Sequence, residues 1–215
     1  MPDARTLDLL VITPPEDLNG ETDTLVSLVE AGLTAIHVRK PHHRPADLEK
    51  WLTRLPPLLR PHTVVHGPPE MARGFALAGW HERDRGLEPF RPSPPDTPLG
   101  LRSGAVHTVE GLRSALDAFD RVLFSPVYPS ISKPGYGPTE PAQRKAVSTL
   151  LKQGPCGSRR ARVFALGGIT PDKLDQLRSW GFDGGALLGA IWLSPDPVAA
   201  FLEFQKQSSP SPVSA

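Results

Sequence analysis

Short runs of β-branched and aliphatic residues alternate along the chain with longer segments whose apolar residues recur at helical spacing. This alternation is typical of repeated βα units, each of which adds a strand to a parallel sheet. Strands are predicted at residues 7–12, 35–39, 63–65, 79–82, 99–105, 121–124, 162–166 and 184–188. Eight βα units within 215 residues predict an α/β fold in a single domain, a compact (β/α)₈ or TIM barrel.

The segments between the predicted strands carry helix signals, since several open with Thr or Pro and close on Gly. A doubly wound open sheet is the alternative fold. It is less favoured because no G-x-G-x-x-G motif follows the first predicted strand. The barrel is expected to occupy residues 1–206, and the Pro- and Ser-rich residues 207–215 are expected to form a disordered tail.

The charge balance narrows the range of partners. With 24 Lys and Arg residues against 23 Asp and Glu residues, the formal net charge is +1, so no overall field recruits nucleic acid or an anionic membrane. The single cysteine, Cys156, excludes an internal disulfide and suits a reducing compartment. No apolar run approaches membrane-spanning length, and Asp3 interrupts the order of a signal peptide. A cytoplasmic protein is therefore expected.

Histidines and cations lie at several predicted strand ends, where the active site of such a barrel forms. The second strand ends at His37 and Arg39, and His66 follows the third strand. The fourth strand ends at His81 and Glu82, and His107 follows the fifth. A lone histidine at a strand end is more often a packed structural residue, but four such ends are hard to explain that way. His37 and Arg39 alternate with Val38, so both are expected to face the barrel interior, with Lys40 directed elsewhere.

The segment "ALGGIT" (residues 165–170) predicts an anion site. Gly167 and Gly168 follow a buried strand and precede a Thr-Pro helix start, which leaves backbone N–H groups able to approach a phosphate. Gly189, after the eighth strand, lies where barrels of this kind complete a phosphate site. The alternative interpretation is a pair of tight turns without a ligand.

Five motifs in order along the chain resemble the thiamine phosphate synthase family, including its thiazole tautomerase branch. They are "IHVRKP", "SGAVHTVEG", "FSPVYPSISKPGYGP", "FALGGIT" and "GFDGGALLGAIW", and the resemblance spans residues 7–204. It implies a (β/α)₈ barrel that binds the phosphate of a hydroxyethylthiazole through Gly167, Gly168 and Gly189. It also implies that Ser130 and Ser132 line the ligand, with Lys133 beside its anionic part.

Departures from the family pattern bear on the activity. The resemblance implies that a synthase holds Mg²⁺ with an Asn-Asp pair after the third strand and an Asp after the fourth. Here the pair is His66-Gly67, and only Glu82 or Asp84 is available at the second place. A pyrophosphate leaving group needs a metal or several cations to neutralise its charge, and these positions lack the residues that hold the metal in a synthase. We therefore expect a protein that uses no metal or other cofactor.

His107 occupies the place of the tautomerase branch's histidine, and imidazole is suited to move a proton near neutral pH. The resemblance therefore implies a metal-independent thiazole tautomerase-like isomerase, with His107 as catalytic residue and His37, Arg39 and His66 as further substrate contacts. Two alternatives stay open: a Mg²⁺-dependent thiamine phosphate synthase, and a catalytically silent barrel that binds a thiazole or thiamine phosphate. The expected partner is a small phosphorylated thiazole. The oligomeric state is left open, with a homodimer as one alternative.

Overall fold

A computed structural model of the chain describes residues 5–82, 100–129, 141–153 and 160–210. Eight parallel strands close into a barrel in the order of the sequence, and β1 pairs with β8 to complete it. The strands are β1 Asp8–Ile12, β2 Ile36–Val38, β3 Thr63–Val65, β4 Gly79–His81, β5 Leu101–Val106, β6 Arg121–Phe124, β7 Arg162–Leu166 and β8 Gly184–Leu187. Each lies within two residues of its predicted bounds, so the TIM barrel prediction is confirmed.

Helices surround the barrel in the described ranges. They are α1 Glu21–Glu30, α2 Pro45–Thr53, α3 Pro69–Gly74, α4 Val109–Ala115, α5 Pro141–Lys152, α6 Leu174–Trp180, α7 Gly189–Trp192 and α8 Pro197–Ser208, with 3₁₀ turns at Pro57–His62 and Pro171–Lys173. Because α8 ends at Ser208, the helix continues two residues past the predicted domain end at residue 206. Within the described part of the chain, no helix is long and apolar enough to span a membrane.

Two apolar layers follow from the alternation of side chains along each strand. The larger layer packs the outer faces of the strands against the helices, with residues such as Val11, Val65 and Phe182 nearly inaccessible to solvent. The smaller layer fills the barrel interior with Leu10, Ile12, Ala35, Leu123, Phe164 and Ala186. At the N-terminal end of the barrel, Arg162 pairs with Asp8. The floor of the interior is therefore filled with side chains, which leaves the opposite end for a site.

Strand register sets which side chains meet at that opposite end. Val38 pairs with Val65, and Val65 pairs with Trp80. The residues that follow these three positions therefore lie side by side at the same level of the barrel. His81 lies directly opposite Ser103 of β5. The ends of β2, β3, β4 and β5 thus present their inward side chains to one another.

Candidate active site at the barrel mouth

Three histidines from neighbouring strands form a cluster inside the barrel. His37 on β2 and His81 on β4 are buried, and His66, directly after β3, is half-buried. The His66 and His81 rings stack with centroids 3.9 Å apart, while His37 meets both rings edge-on at 5.3 and 5.5 Å. One ring nitrogen from each residue lies within 4.8 Å of the other two. The sequence predicted His37 and His66 as substrate contacts, and the structure brings the His81 ring against both of them.

Hydrogen bonds fix the position of the His37 proton in this cluster. Arg121 Nη1 lies 3.2 Å from His37 Nε2, and because a guanidinium only donates, Nε2 accepts. A neutral His37 then carries its proton on Nδ1, which lies 3.1 Å from His66 Nε2 and donates to it. His81 Nδ1 lies 2.9 Å from the hydroxyl of Ser103. The cluster is therefore an ordered hydrogen-bonded arrangement.

Burial keeps the three imidazoles neutral. Desolvation holds the pKa of His37 and of His66 well below 6.5, and nearby imidazoles and arginines act in the same direction. Desolvation together with the charges of Arg39 and Arg121 lowers the pKa of His81 to about 4. Burial also lowers the pKa of Arg121 to about 10, so this guanidinium is still charged at neutral pH. The site thus combines neutral imidazoles with fixed cations.

The two basic residues after β2 point in different directions, as predicted. Arg39 is half-buried, and its charge acts on both His66 and His81. The Lys40 side chain is fully buried and donates to Glu21 Oε2 at 2.7 Å and to the carbonyl oxygens of Pro14 and Glu16 at 3.1 and 2.9 Å. Lys40 therefore stabilises the loop after β1, and Arg39 is the residue that faces the histidines.

His107 is held by the loop that follows β6. It follows β5 and is exposed, and its Nδ1 lies 2.7 Å from the carbonyl oxygen of Ser125 and 3.2 Å from that residue's hydroxyl. A carbonyl only accepts, so Nδ1 carries a proton and Nε2 is the basic nitrogen of the neutral ring. The next residue, Thr108, caps α4 by accepting from the Gly111 amide at 3.0 Å. The cap and the carbonyl together hold the imidazole in one orientation.

The double glycine after β7 forms a tight turn against the loop after β6. Gly167 and Gly168 have φ of +101° and +62°, and the Tyr128 amide donates to the Gly167 carbonyl at 3.2 Å. A Cβ on Gly168 would lie 2.2 Å from the Pro129 carbonyl oxygen. Close packing alone thus requires glycine at position 168, whether or not a ligand binds there. Gly189 begins α7 directly after β8.

A lysine that the sequence did not single out stands at this turn. Lys173 Nζ donates to the Gly168 carbonyl at 2.8 Å and lies 4.7 Å from the centre of the Tyr128 ring. The "GGITPDK" segment could have indicated it, because the lysine follows five positions after Gly168. Ser130, Ser132 and Lys133, predicted to line the ligand, lie outside the described residues.

The described residues do not fit the Mg²⁺ site that a synthase requires. Glu82 accepts from Arg102 Nε at 2.8 Å, and the Arg102 guanidinium lies 4.8 Å from the Phe119 ring centre. The Glu82 carboxylate is thus already compensated by a cation. In place of the Asn-Asp pair of a synthase, this chain has His66-Gly67, and glycine has no side chain to bind a metal. Asp84 lies outside the described residues. Mg²⁺ prefers oxygen ligands, whereas the side chains gathered inside this barrel are imidazoles.

Comparisons with known proteins agree with the fold. A thiamine phosphate pyrophosphorylase from Bacteroides thetaiotaomicron superimposes with a TM-score of 0.70 at 29% identity, over 94% of this chain and 95% of that one. A thiamine phosphate pyrophosphorylase from Pyrococcus furiosus gives a TM-score of 0.73 at 20% identity, over 95% and 96% of the two chains. The second likeness supports the barrel architecture alone.

Relatives found by sequence point in the same direction. A thiamine-phosphate synthase from Geobacillus thermodenitrificans is 26% identical over 83% of this chain and 80% of its own length. For the thiamine-phosphate synthase of Anoxybacillus flavithermus, the match is 28% identical and spans 60% of this chain but only 56% of the relative. The family model described as thiamine monophosphate synthase matches residues 9–191. The chain therefore belongs to the thiamine monophosphate synthase family.

Proposed function

We propose that this chain is an isomerase of the thiazole tautomerase kind, which moves a proton on a phosphorylated carboxythiazole. The observation that carries the proposal is the 2.7 Å contact between His107 Nδ1 and the Ser125 carbonyl. It makes Nε2 the basic nitrogen of an exposed, oriented imidazole. Family membership supports a phosphorylated thiazole as substrate, and the residues at the barrel mouth favour proton transfer over chemistry with Mg²⁺.

In the proposed reaction, His107 Nε2 removes a proton from the thiazole ring and a proton returns at a carbon outside the ring, which gives the aromatic tautomer. The atoms balance without a co-reactant, because the substrate and product differ only in where one proton sits. The Ser125 carbonyl accepts from Nδ1–H throughout and stabilises the imidazolium formed after the first transfer. One side chain therefore serves as base and then as acid.

Binding is assigned to two sides of the barrel mouth. Backbone N–H groups at Gly167, Gly168 and Gly189 hold the phosphate, and the nearby Lys173 contributes positive charge there. Arg39, whose charge acts on His66 and His81 on the opposite side, attracts the carboxylate, and Lys133 acts with it on the anionic part of the ligand. The half-buried His66 contacts the substrate by a hydrogen bond. Both ring nitrogens of the buried His37 are already bonded, to His66 and to Arg121, so His37 acts on the substrate through His66.

A thiamine phosphate synthase is the second candidate, favoured by the names of the relatives from Geobacillus and Anoxybacillus. That reaction joins a thiazole phosphate to an aminopyrimidine pyrophosphate and releases pyrophosphate, whose charge must be neutralised. The ion pair between Glu82 and Arg102 argues against it, because it occupies a carboxylate that the metal would need.

One paired assay separates the candidates. The protein is incubated with the carboxythiazole phosphate, and separately with thiazole phosphate and aminopyrimidine pyrophosphate, each with Mg²⁺ and with EDTA. We expect isomerisation in both media and no thiamine phosphate in either. Thiamine phosphate formed only with Mg²⁺ would establish the synthase instead, and binding without turnover of either substrate set would identify a silent barrel.

A further inference from the structure

We propose that His37, His66 and His81 form a binding site for a borderline divalent transition metal ion, with Zn²⁺ as the reference ion and an anion as its fourth ligand. The proposal goes beyond the isomerase function, in which no step uses a metal. It also differs in ligand chemistry and in position from the carboxylate Mg²⁺ site of a synthase.

The spacing of the donor atoms fits the ion. Tetrahedral Zn²⁺ holds imidazole nitrogens at about 2.0–2.1 Å, which places neighbouring donors about 3.3 Å apart. His37 Nδ1 and His66 Nε2 are already 3.1 Å apart, and all three donor atoms lie within 4.8 Å of one another. A rotation of the His81 ring out of its stack with His66 brings in the third donor. The three side chains stand on adjacent strands of a closed barrel, so their backbone positions are rigid.

The surroundings prepare the ligands for a metal. Metal-ligating imidazole is the neutral form, and this form is favoured because His37 and His81 are buried and His66 is half-buried. Ser103 Oγ lies 2.9 Å from His81 Nδ1. When His81 donates from Nδ1 to this hydroxyl, its Nε2 lone pair is the one available to an ion. Such an outer partner fixes the tautomer and orientation of a ligating histidine.

The charges around the cluster determine the fourth ligand. Arg39 and Arg121 both act on these histidines, and the nearest carboxylate in the sequence, Glu82, is paired with Arg102 at 2.8 Å. A divalent ion beside two guanidinium groups is favourable only when an anion binds with it. The oxygen of a phosphate or carboxylate meets this need and fills the open position of a three-histidine site.

Arg121 opposes the ion in a way that can be measured. Its Nη1 donates to His37 Nε2 at 3.2 Å, which keeps the proton of His37 on Nδ1, the nitrogen that would ligate the metal. Metal binding at Nδ1 moves that proton to Nε2, so Arg121 must release the ring. Removing the guanidinium should therefore strengthen metal binding, whereas it would have no such effect on adventitious binding elsewhere.

A second group of histidines near the surface supplies the control. His42 Nε2 lies 3.5 Å from Glu16 Oε1, and His43 Nε2 lies 3.3 Å from Asp17 Oδ1. The His42 side chain is 66% exposed. A metal ion that binds the protein only through solvent-accessible histidines would use this group, and His42→Asn would then weaken metal binding.

The test is a titration of the full chain with Co²⁺ followed by its visible absorption, and with Zn²⁺ by calorimetry, each with and without inorganic phosphate. We expect one Co²⁺ ion to bind tightly per chain, with the intense absorption of tetrahedral Co²⁺. Its affinity should be higher when phosphate is present. His66→Asn should weaken binding by more than about 100-fold, and Ser103→Ala by about 10-fold to 100-fold, the usual cost of losing an outer partner. Arg121→Met should bind more tightly than the wild type, and His42→Asn should bind equally.

Circular dichroism and thermal unfolding verify that each variant is folded, and His81→Gln replaces His66→Asn if the latter is not. The proposal is overturned if the wild type binds neither ion tightly, or if His42→Asn weakens binding while His66→Asn or His81→Gln does not. Weakened metal binding by Arg121→Met in the absence of phosphate would also contradict it, because the proposal has this guanidinium compete with the metal ion for His37.

Discussion

His107 Nδ1 lies 2.7 Å from the carbonyl oxygen of Ser125, and this contact determines which nitrogen of the ring is basic. The two residues end adjacent strands, β5 and β6, whose register pairs Val106 with Phe124. The barrel itself therefore sets the orientation of the imidazole. An acid/base residue held by two neighbouring strands does not depend on a flexible loop for its position.

Replacing His107 with asparagine tests its role. His107→Asn should lower isomerase turnover by about 10²-fold to 10⁴-fold, the usual contribution of a positioned acid/base, and leave product affinity nearly unchanged. Asparagine keeps the approximate size and polarity of imidazole but does not titrate. Turnover and equilibrium binding of the aromatic product are measured on the same preparations.

His37→Asn and His66→Asn serve as comparisons, because both residues also lie at the barrel mouth. They should weaken substrate binding more than they slow the chemical step. If His107→Asn kept normal turnover while one of these two lost it, the acid/base assignment would move to that residue.

The phosphate site should work without a metal ion. Thiazole phosphate without the carboxylate should bind with equal affinity in EDTA and in Mg²⁺, because backbone N–H groups near β7 and β8 need no cation. Isothermal calorimetry measures both affinities. The histidine cluster belongs to β2, β3 and β4, and neither medium supplies the transition metal ion proposed for it, so that site should not contribute to this affinity. Binding that disappears on chelation would refute the backbone site.

Gly168→Ala should destabilise the fold. At φ +62° a side chain is disfavoured, and the new Cβ would lie 2.2 Å from the Pro129 carbonyl oxygen, so we expect a loss of about 1–3 kcal/mol in the free energy of unfolding. Urea denaturation measures it. Gly74→Ala is the matched control, since a Cβ at this position in α3 meets nothing within 4 Å, and it should be neutral or stabilising. Equal effects of the two substitutions would show that the turn after β7 has room to relax.

The buried pair of Lys40 and Glu21 should be costly to break from one side. Lys40→Met leaves the Glu21 carboxylate without the ammonium 2.7 Å away, so we expect a loss of about 3–5 kcal/mol in stability. Arg44→Met removes an exposed cation paired with Asp47 at 2.8 Å and should change stability far less, because solvent screens an exposed ion pair. Thermal or urea unfolding compares the two variants.

The same pair predicts a dependence on pH. Desolvation raises the pKa of Glu21 above 4.5 in the folded state, so the folded chain holds this proton more tightly than the unfolded chain. The Glu21 contribution to stability is therefore greatest below pH 4.5 and declines as pH rises through the folded pKa. Glu21→Gln should remove that decline, which urea titrations across this range measure. A decline of equal size in the variant would assign it to other groups.

The strands could be predicted from the sequence because apolar runs such as residues 121–124 and 162–166 carry a local signal that burial in a parallel sheet preserves. The histidines at the strand ends could be predicted for the same reason. The contact of the three histidine rings with one another could not be predicted, because it depends on the register of β2, β3 and β4. Arg121 was missed because it begins β6, yet strand stagger and its long side chain bring its guanidinium to His37.

The measurement that tests the proposed activity most directly follows the thiazole ring proton in deuterated water. The wild-type protein is incubated with the carboxythiazole phosphate in the presence of EDTA, and nuclear magnetic resonance records isomerisation and deuterium incorporation into the product. We predict that the aromatic tautomer forms at a rate proportional to protein concentration, with solvent deuterium in the product, and that His107→Asn abolishes both. An unchanged substrate with no exchange in the wild type would contradict the isomerase function.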